Sequence, residues 1–327
     1  MTAASHRPCK VGIVLPLYEG MLGDRTARSS DIRTMAQRAE KLGFDSVWVF
    51  DHLLLPIDQW IEQAHALGAW EGWSMLTAVA ASTSRVEVGS LVLCTNFRNP
   101  ALIAKMADTV DEISDGRLVL GLGAGSIGEE FTRFGFSADN RVGRFEEAVQ
   151  IISGLLRDGE IDFSGRFYQV RNCMLRPRGP RENGPPILIG ARRERMFRIA
   201  ARYADMWNGA WPNRAEQMQP QLDLLNEACH KAGRDPSSLA RTAGVMIDIE
   251  EANPNREWIW ARLAREDAQP LSGSTEEIAE ALLEYHRLGI EHIQVWLNPT
   301  TLAGLEAFAP VLSHLDQVPI ARLSSPS

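Results

Sequence analysis

Tyr285-His286-Arg287-Leu288-Gly289-Ile290-Glu291-His292-Ile293-Gln294-Val295-Trp296 repeats the pattern of Ala39-Glu40-Lys41-Leu42-Gly43-Phe44-Asp45-Ser46-Val47-Trp48. Each is a helix tail, a Leu-Gly stop, and a strand that carries a tryptophan. The glycine stands where a helix C′ residue turns left-handed, a conformation that glycine adopts without a Cβ penalty. Similar helix-to-strand joints near the two ends suit a closed ring of βα units better than an open sheet.

Working outward from these joints, short β-branched runs alternate with longer segments of helical period. Strands are predicted at Val11 to Leu15, Ser46 to Phe50, Val86 to Leu93, Arg117 to Leu122, Ile187 to Ile189, Asp205 to Trp207, Thr242 to Ile249 and His292 to Leu297. Between them lie helical patterns: Asp31 to Leu42, Trp73 to Ser82, a helix opened by Asn99-Pro100, Arg144 to Leu156, Arg195 to Tyr203, Glu216 to Ala232, Ile278 to Leu288 and Leu302 to Leu315. Asn99 is a natural N-cap with proline at the first helical position, and Ser274 with Glu277 forms a capping box. Two irregular stretches interrupt the rhythm, Asp162 to Pro186 and roughly Glu251 to Gly273. The expected fold is an α/β (β/α)8 TIM barrel, a single domain over residues 1–327, with insertions after strand four and after strand seven. A doubly wound sheet is the competing arrangement.

Composition narrows the class. The 327 residues are 45% hydrophobic and 23% charged, with a formal charge of −8 and a pI near 5.5, so neither nucleic-acid phosphates nor anionic membranes are expected partners. Cys9, Cys94, Cys173 and Cys229 are widely spaced, as in a protein kept reduced in the cytoplasm. Met1 to Pro8 lacks the apolar run of a signal peptide, and no stretch of the chain reaches the length of a membrane span. No H-E-x-x-H, Walker A or His/Cys ligand spacing appears, so no metal is expected.

In a (β/α)8 barrel the site is built where strands end at their carboxyl side. That rule selects Asp51-His52, Leu91 to Asn96, Gly121 to Glu130, Gly190 to Arg193, Trp207-Asn208 and Trp296 to Asn298. A histidine beside a carboxylate suits proton transfer or polarisation of a substrate oxygen, although an Asp capping a turn with a loop His near it has the same pattern. Gly123-Ala124-Gly125-Ser126-Ile127-Gly128 matches G-x-G-x-x-G, but no helix follows at once and position 148 lies in a helical pattern, so a dinucleotide fingerprint is rejected. The glycines instead mark a backbone that turns sharply or approaches a flat ligand. Gly190-Ala191-Arg192-Arg193 opens a helix with basic residues, either an anion site for a coenzyme phosphate or a tight turn with solvated arginines. Trp48, Trp70, Trp73, Trp207, Trp211 and Trp296 cluster near strand ends. Packing explains most tryptophans, and Trp207 and Trp296 are the candidates for lining a ligand cavity. Glu71, at a helix start, is either a substrate-pocket residue or a partner of the helix dipole.

Four stretches resemble the bacterial-luciferase-like superfamily: Val88 to Ala101 (VGSLVLCTNFRNPA), Gly116 to Gly125 (GRLVLGLGAG), Arg141 to Ala148 (RVGRFEEA) and Ala200 to Asn208 (AARYADMWN). The resemblance runs from Val11 to about Leu315 and is closest to the branch that uses the deazaflavin coenzyme F420. It implies a barrel with the coenzyme ring at the strand carboxyl ends and an oxidoreductase that moves a hydride between deazaflavin and a small organic substrate. It also implies a non-proline cis peptide at Leu91-Val92 behind the ring, and coenzyme contacts from Thr95, Asn96, Ala124, Gly125, Ser126, Gly190, Ala191 and Arg192. His52 would donate a proton or polarise a carbonyl, with Asp51 orienting it. A sugar-phosphate dehydrogenase of this branch carries a catalytic Glu where this chain has Ser126, which argues against the same substrate. The alternatives are an FMN-dependent monooxygenase and a catalytically silent flavin-binding homologue. A glycosidase barrel fits less well, because no pair of opposed carboxylates stands out. A homodimer is common in the family.

Overall fold

The two repeated joints meet across the floor of a barrel. In the computed structural model, which describes residues 7–22, 25–55, 66–252 and 270–318, the Ser46 hydroxyl lies 2.7 Å from Nε2 of His292. Ser46 and His292 begin the strands of the two copies, and β1 runs between those strands. The strands are β1 (Lys10–Val14), β2 (Ser46–Val49), β3 (Glu87–Ser90), β4 (Leu118–Gly123), β5 (Ile187–Gly190), β6 (Met206–Ala210), β7 (Ala240–Asp248) and β8 (His292–Asn298). Each pairs in parallel with the next, and β1 closes the ring on β8 with Lys10 opposite His292.

Among the described residues, eight helices of ten or more residues surround the ring: α1 (Ser29–Leu42), α2 (Gly72–Ser82), α3 (Pro100–Ile113), α4 (Arg141–Asp158), α5 (Glu194–Tyr203), α6 (Gln219–Lys231), α7 (Thr275–Arg287) and α8 (Leu302–Asp316). Their ends carry the caps read from the sequence. Gly43 closes α1 at φ 92°, the Asn99 side chain accepts from the N–H of Ala101 at 2.9 Å, and Ser274 and Glu277 cap α7 reciprocally. The helix expected from Glu216 instead begins as a 3-10 turn, Ala215–Met218, and becomes α-helical at Gln219. Pro220 explains the restart, since a residue without an N–H is tolerated in the first turn but not later.

Strand parity divides the core in two. Val11, Ile13, Val47, Val49, Val88 and Leu120 face outward and pack with the helices. Val14, Trp48, Phe50, Leu91, Val119, Leu188, Met246 and Trp296 form a separate buried cluster inside the ring. Trp48 spans the floor, and only glycine fits beside it: a Cβ would come within 2.5 Å of its Nε1 at Gly12 and 2.2 Å of its Cζ3 at Gly89. Buried polar groups share this interior. Trp48 Nε1 donates to Ser46 Oγ, and Asn208 Nδ2 donates to Thr242 Oγ1 and Gln294 Oε1.

Strand three, expected as one run to Leu93, stops at Ser90. The Leu91–Val92 peptide is cis, and Leu93–Cys94 then pairs with Leu122 and Gly123 of β4. The stretch after α4 is an antiparallel hairpin, Glu160–Ser164 with Gln169–Met174. Most of the second irregular stretch lies outside the described residues.

Candidate functional site

A cavity of about 450 Å³ opens at the carboxyl end of the barrel. Gly123, Ala124, Gly125 and Ser126 form one part of the wall and Gly190, Ala191, Arg192 and Met196 the part beside it, with Leu91–Val92 between them; Phe50, Asp51, His52, Phe97, Glu130 and Trp211 are among the other lining residues. The glycines allow close packing of these walls. A Cβ at Gly121 would lie 1.9 Å from the Ser90 carbonyl oxygen, and one at Gly123 would lie 2.6 Å from Val92. Gly125 turns the chain at φ 78°, and a Cβ there would strike Phe131 and Cys94.

His52 reaches the cavity, but the expected orientation by Asp51 is replaced by another carboxylate. His52 Nδ1 lies 2.9 Å from Oε2 of Glu130, whose side chain is 2% exposed. The other oxygen, Oε1, accepts from the N–H groups of Leu53 at 2.7 Å and Leu54 at 3.1 Å. Glu130 sits on a short helix, Gly128–Arg133, that seats Phe131 in a pocket with Cys94 and Phe97. Glu130 ends the segment after strand four that strand order assigns to the site, but no local signal distinguishes it from its neighbours there. Nothing in the chain order signals that residue 130 meets residue 52.

Asp51 serves a different purpose. Both of its oxygens take the Arg98 guanidinium fork, at 2.7 and 2.8 Å, and Oδ2 also accepts from the Cys94 N–H at 2.8 Å. Burial raises the Asp51 carboxyl pKa above its ordinary value, with Arg98 and the Cys94 N–H pulling against it. For Arg98, burial pulls downward, but Asp51 and Glu71 carry the net shift upward. Glu71 pairs with Arg98 and caps α2 by accepting from the N–H groups of Trp73 and Ser74. It therefore belongs to this clip and is absent from the cavity lining. Burial also raises the Cys94 thiol to about 12, which keeps it protonated.

The remaining expected residues separate into lining and backing. Ala124, Gly125, Ser126, Gly190, Ala191 and Arg192 line the cavity, with Leu91 and Val92 between the two groups. Thr95 and Asn96 stand one layer behind: the Thr95 hydroxyl donates to the Gly123 carbonyl at 3.4 Å, and Asn96 Nδ2 donates to that of Ala124 at 2.9 Å. Trp207 is a correction. Its side chain is fully buried outside the ring against Phe197, with Nε1 donating to the Ala191 carbonyl. Alternation gives the inward place on β6 to Asn208. Trp296 is inside the ring, 4.8 Å from Phe50 and 5.4 Å from Trp211 between ring centroids. Trp211 is the tryptophan that reaches the cavity, on a left-handed backbone at φ 57° and packed over Gly244.

Among the described residues no group of three or more His, Cys, Asp or Glu converges as metal ligands, and no helix is long and apolar enough to cross a membrane. What the arrangement offers is a walled cavity, one imidazole held by a buried carboxylate, and a basic helix start at its rim.

Residues 9–263 match the sequence model of the luciferase-like monooxygenase family. A phthiodiolone/phenolphthiodiolone dimycocerosates ketoreductase of Mycobacterium tuberculosis is 30% identical over 262 residues, covering 74% of this chain and 68% of its own. An F420-dependent glucose-6-phosphate dehydrogenase of Amycolatopsis mediterranei is 30% identical over 272 residues, covering 78% of this chain and 76% of its own. Among solved structures, an F420-dependent secondary alcohol dehydrogenase in complex with an F420-acetone adduct aligns with TM-score 0.77 at 21% identity, covering 94% of this chain and 99% of that one. The coenzyme F420-dependent tetrahydromethanopterin reductase of Methanopyrus kandleri aligns with TM-score 0.72 at 17% identity, covering 93% and 97%. The structural likenesses are of fold, whereas the family model spans most of the sequence: this chain belongs to the luciferase-like monooxygenase family.

Proposed function

We propose that the protein is a coenzyme F420-dependent oxidoreductase that moves a hydride between the deazaflavin and a small organic substrate held beside His52. The observation that carries this reading is His52 at the cavity wall, fixed through Nδ1 by a buried carboxylate, with Nε2 left for a substrate oxygen. The F420 dependence of one relative, the glucose-6-phosphate dehydrogenase at 30% identity, supports the choice of coenzyme.

The cavity residues fit such a group. A Cβ at Gly190 would meet only Val92, at 3.5 Å, and would otherwise project into the cavity, so glycine keeps space there for a flat ring. Leu91 and Val92 would back that ring, backbone N–H groups at Gly125 and Ser126 would face its polar edge, and Gly190 and Ala191, whose strand is held in the sheet, would form the wall beside it. Arg192, beside the start of α5, would meet the coenzyme phosphate, since helix N-termini favour anions. When bound, the deazaflavin supplies the hydride donor or acceptor, and the protein orients it, excludes water and manages the proton. Phe50 and Trp211 then present an apolar face to the substrate.

Titration of the purified protein with F420 and with FMN, followed by fluorescence quenching, tests the coenzyme. Saturable micromolar binding of the deazaflavin is expected. Tight binding of FMN alone would move the protein to flavin-dependent monooxygenation. The same reading carries a cytoplasmic homodimer, whose mass light scattering measures directly.

A further inference from the structure

We infer that Glu130 is a positioning residue that sets the tautomer of His52, holding the ring proton on Nδ1 so that Nε2 meets the substrate as a proton acceptor. The inference rests on the oxidoreductase reading for its chemistry, but its geometry is independent of any coenzyme. A carboxylate only accepts hydrogen bonds. Oε1 of Glu130 is already taken by the Leu53 and Leu54 N–H groups, and Oε2 lies 2.9 Å from Nδ1, so Nδ1 must be the donor. Asp51 does not compete, because its oxygens are held by Arg98 and Cys94. The rings of Tyr18 and Phe50, 6.1 and 6.5 Å from the imidazole centroid, confine it on other sides.

The consequence is a balanced step. In the oxidative direction a substrate hydroxyl gives its proton to Nε2. The hydride on the same carbon leaves with its electron pair to oxidised deazaflavin, and the C–O bond becomes C=O. The substrate is oxidised, the coenzyme is reduced, and the imidazolium, charge-paired with Glu130, returns its proton to solvent. The reductive direction is the reverse, with imidazolium as donor.

Glu130→Gln tests this. The amide oxygen must stay where Oε1 was to accept the two backbone N–H groups, which turns the NH₂ toward Nδ1. That group can only donate, so the ring proton moves to Nε2 and the acceptor facing the substrate is lost. Nitrogen NMR of histidine-labelled, coenzyme-free protein in mildly alkaline buffer is expected to show His52 protonated at Nδ1 in the wild type and at Nε2 in the variant. The hydride-transfer rate, followed by deazaflavin absorbance, is expected to fall by roughly 10²–10⁴-fold with coenzyme affinity retained. A wild-type His52 carrying its proton on Nε2 overturns the inference, whether or not the variant folds. So does an inverted tautomer with an unchanged transfer rate. Failure of the wild type to bind deazaflavin sinks the oxidoreductase reading instead, and the tautomer measurement still decides the role of Glu130.

Discussion

His292 and His52 are two imidazoles in one barrel with opposite surroundings. His52 borders the cavity with a carboxylate on its ring, whereas His292 is 1% exposed on the floor, with Nδ1 3.9 Å from Glu87. Burial lowers the His292 pKa to about 4, with Glu87 pulling upward and Lys10 downward. The folded protein thus keeps this ring neutral where the unfolded chain, with an ordinary value near 6.5, already takes a proton. The stability held by neutral His292 is complete above about pH 6.5 and is lost as pH falls toward about 4, by an amount on the order of 3 kcal/mol. Urea unfolding of the wild type and of His292→Gln at neutral pH and at about pH 4 is expected to show the stability gap between them shrinking by that amount. A gap independent of pH would mean that His292 does not titrate as its burial implies.

At the scale of elements, three segments meet at one guanidinium. Arg98, just beyond β3, grips Asp51 at the end of β2 and Glu71 at the cap of α2. The Asp51 side chain is 1% exposed, so removing its partner leaves a buried carboxylate without compensation. Arg98→Ala is expected to cost about 3–5 kcal/mol, read as a lower urea midpoint, and to loosen the loop that carries His52. Arg98→Lys should recover only part, since one ammonium cannot reproduce the two-pronged contact. A loss within about 0.5 kcal/mol for Arg98→Ala would reduce the clip to an ordinary surface pair. A comparable device fastens the hairpin to α4. Glu147 accepts from the N–H groups of Arg166, Phe167 and Tyr168, giving the backbone of the hairpin turn partners outside its own ladder.

Across the whole molecule, the eight-strand closure leaves the sheet without exposed ring edges and gathers every strand's carboxyl end around one mouth. A ligand that bridges the β3–β4 and β5–α5 walls is held only by the folded ring. Deazaflavin at about one hundred times its Kd should therefore stabilise the protein by about 2.7 kcal/mol, a rise in Tm of roughly 5 °C. The same concentration of FMN should leave Tm unchanged. A thermal shift with FMN and none with deazaflavin would contradict the proposed coenzyme.

Periodicity and caps were enough to read the ring. Gly43, Asn99-Pro100 and Ser274 with Glu277 are local signals, written in consecutive residues, and they mark helix ends where the structure has them. The segments that would line the mouth also followed from chain order, because the carboxyl end of a barrel strand is a position in sequence before it is a place in space. Side-chain pairing across the mouth was not legible in the same way. The partner of His52 is 78 residues away, and the nearest acid in sequence, Asp51, is turned to an arginine 47 residues on. Likewise Trp207 and Asn208 are adjacent, and only strand parity decides which enters the ring. Local free energies of capping and turning act between neighbours and so are recorded in sequence. The orientation of His52 depends on which buried donors and acceptors remain once the walls have closed, and that was decided by the tertiary structure alone.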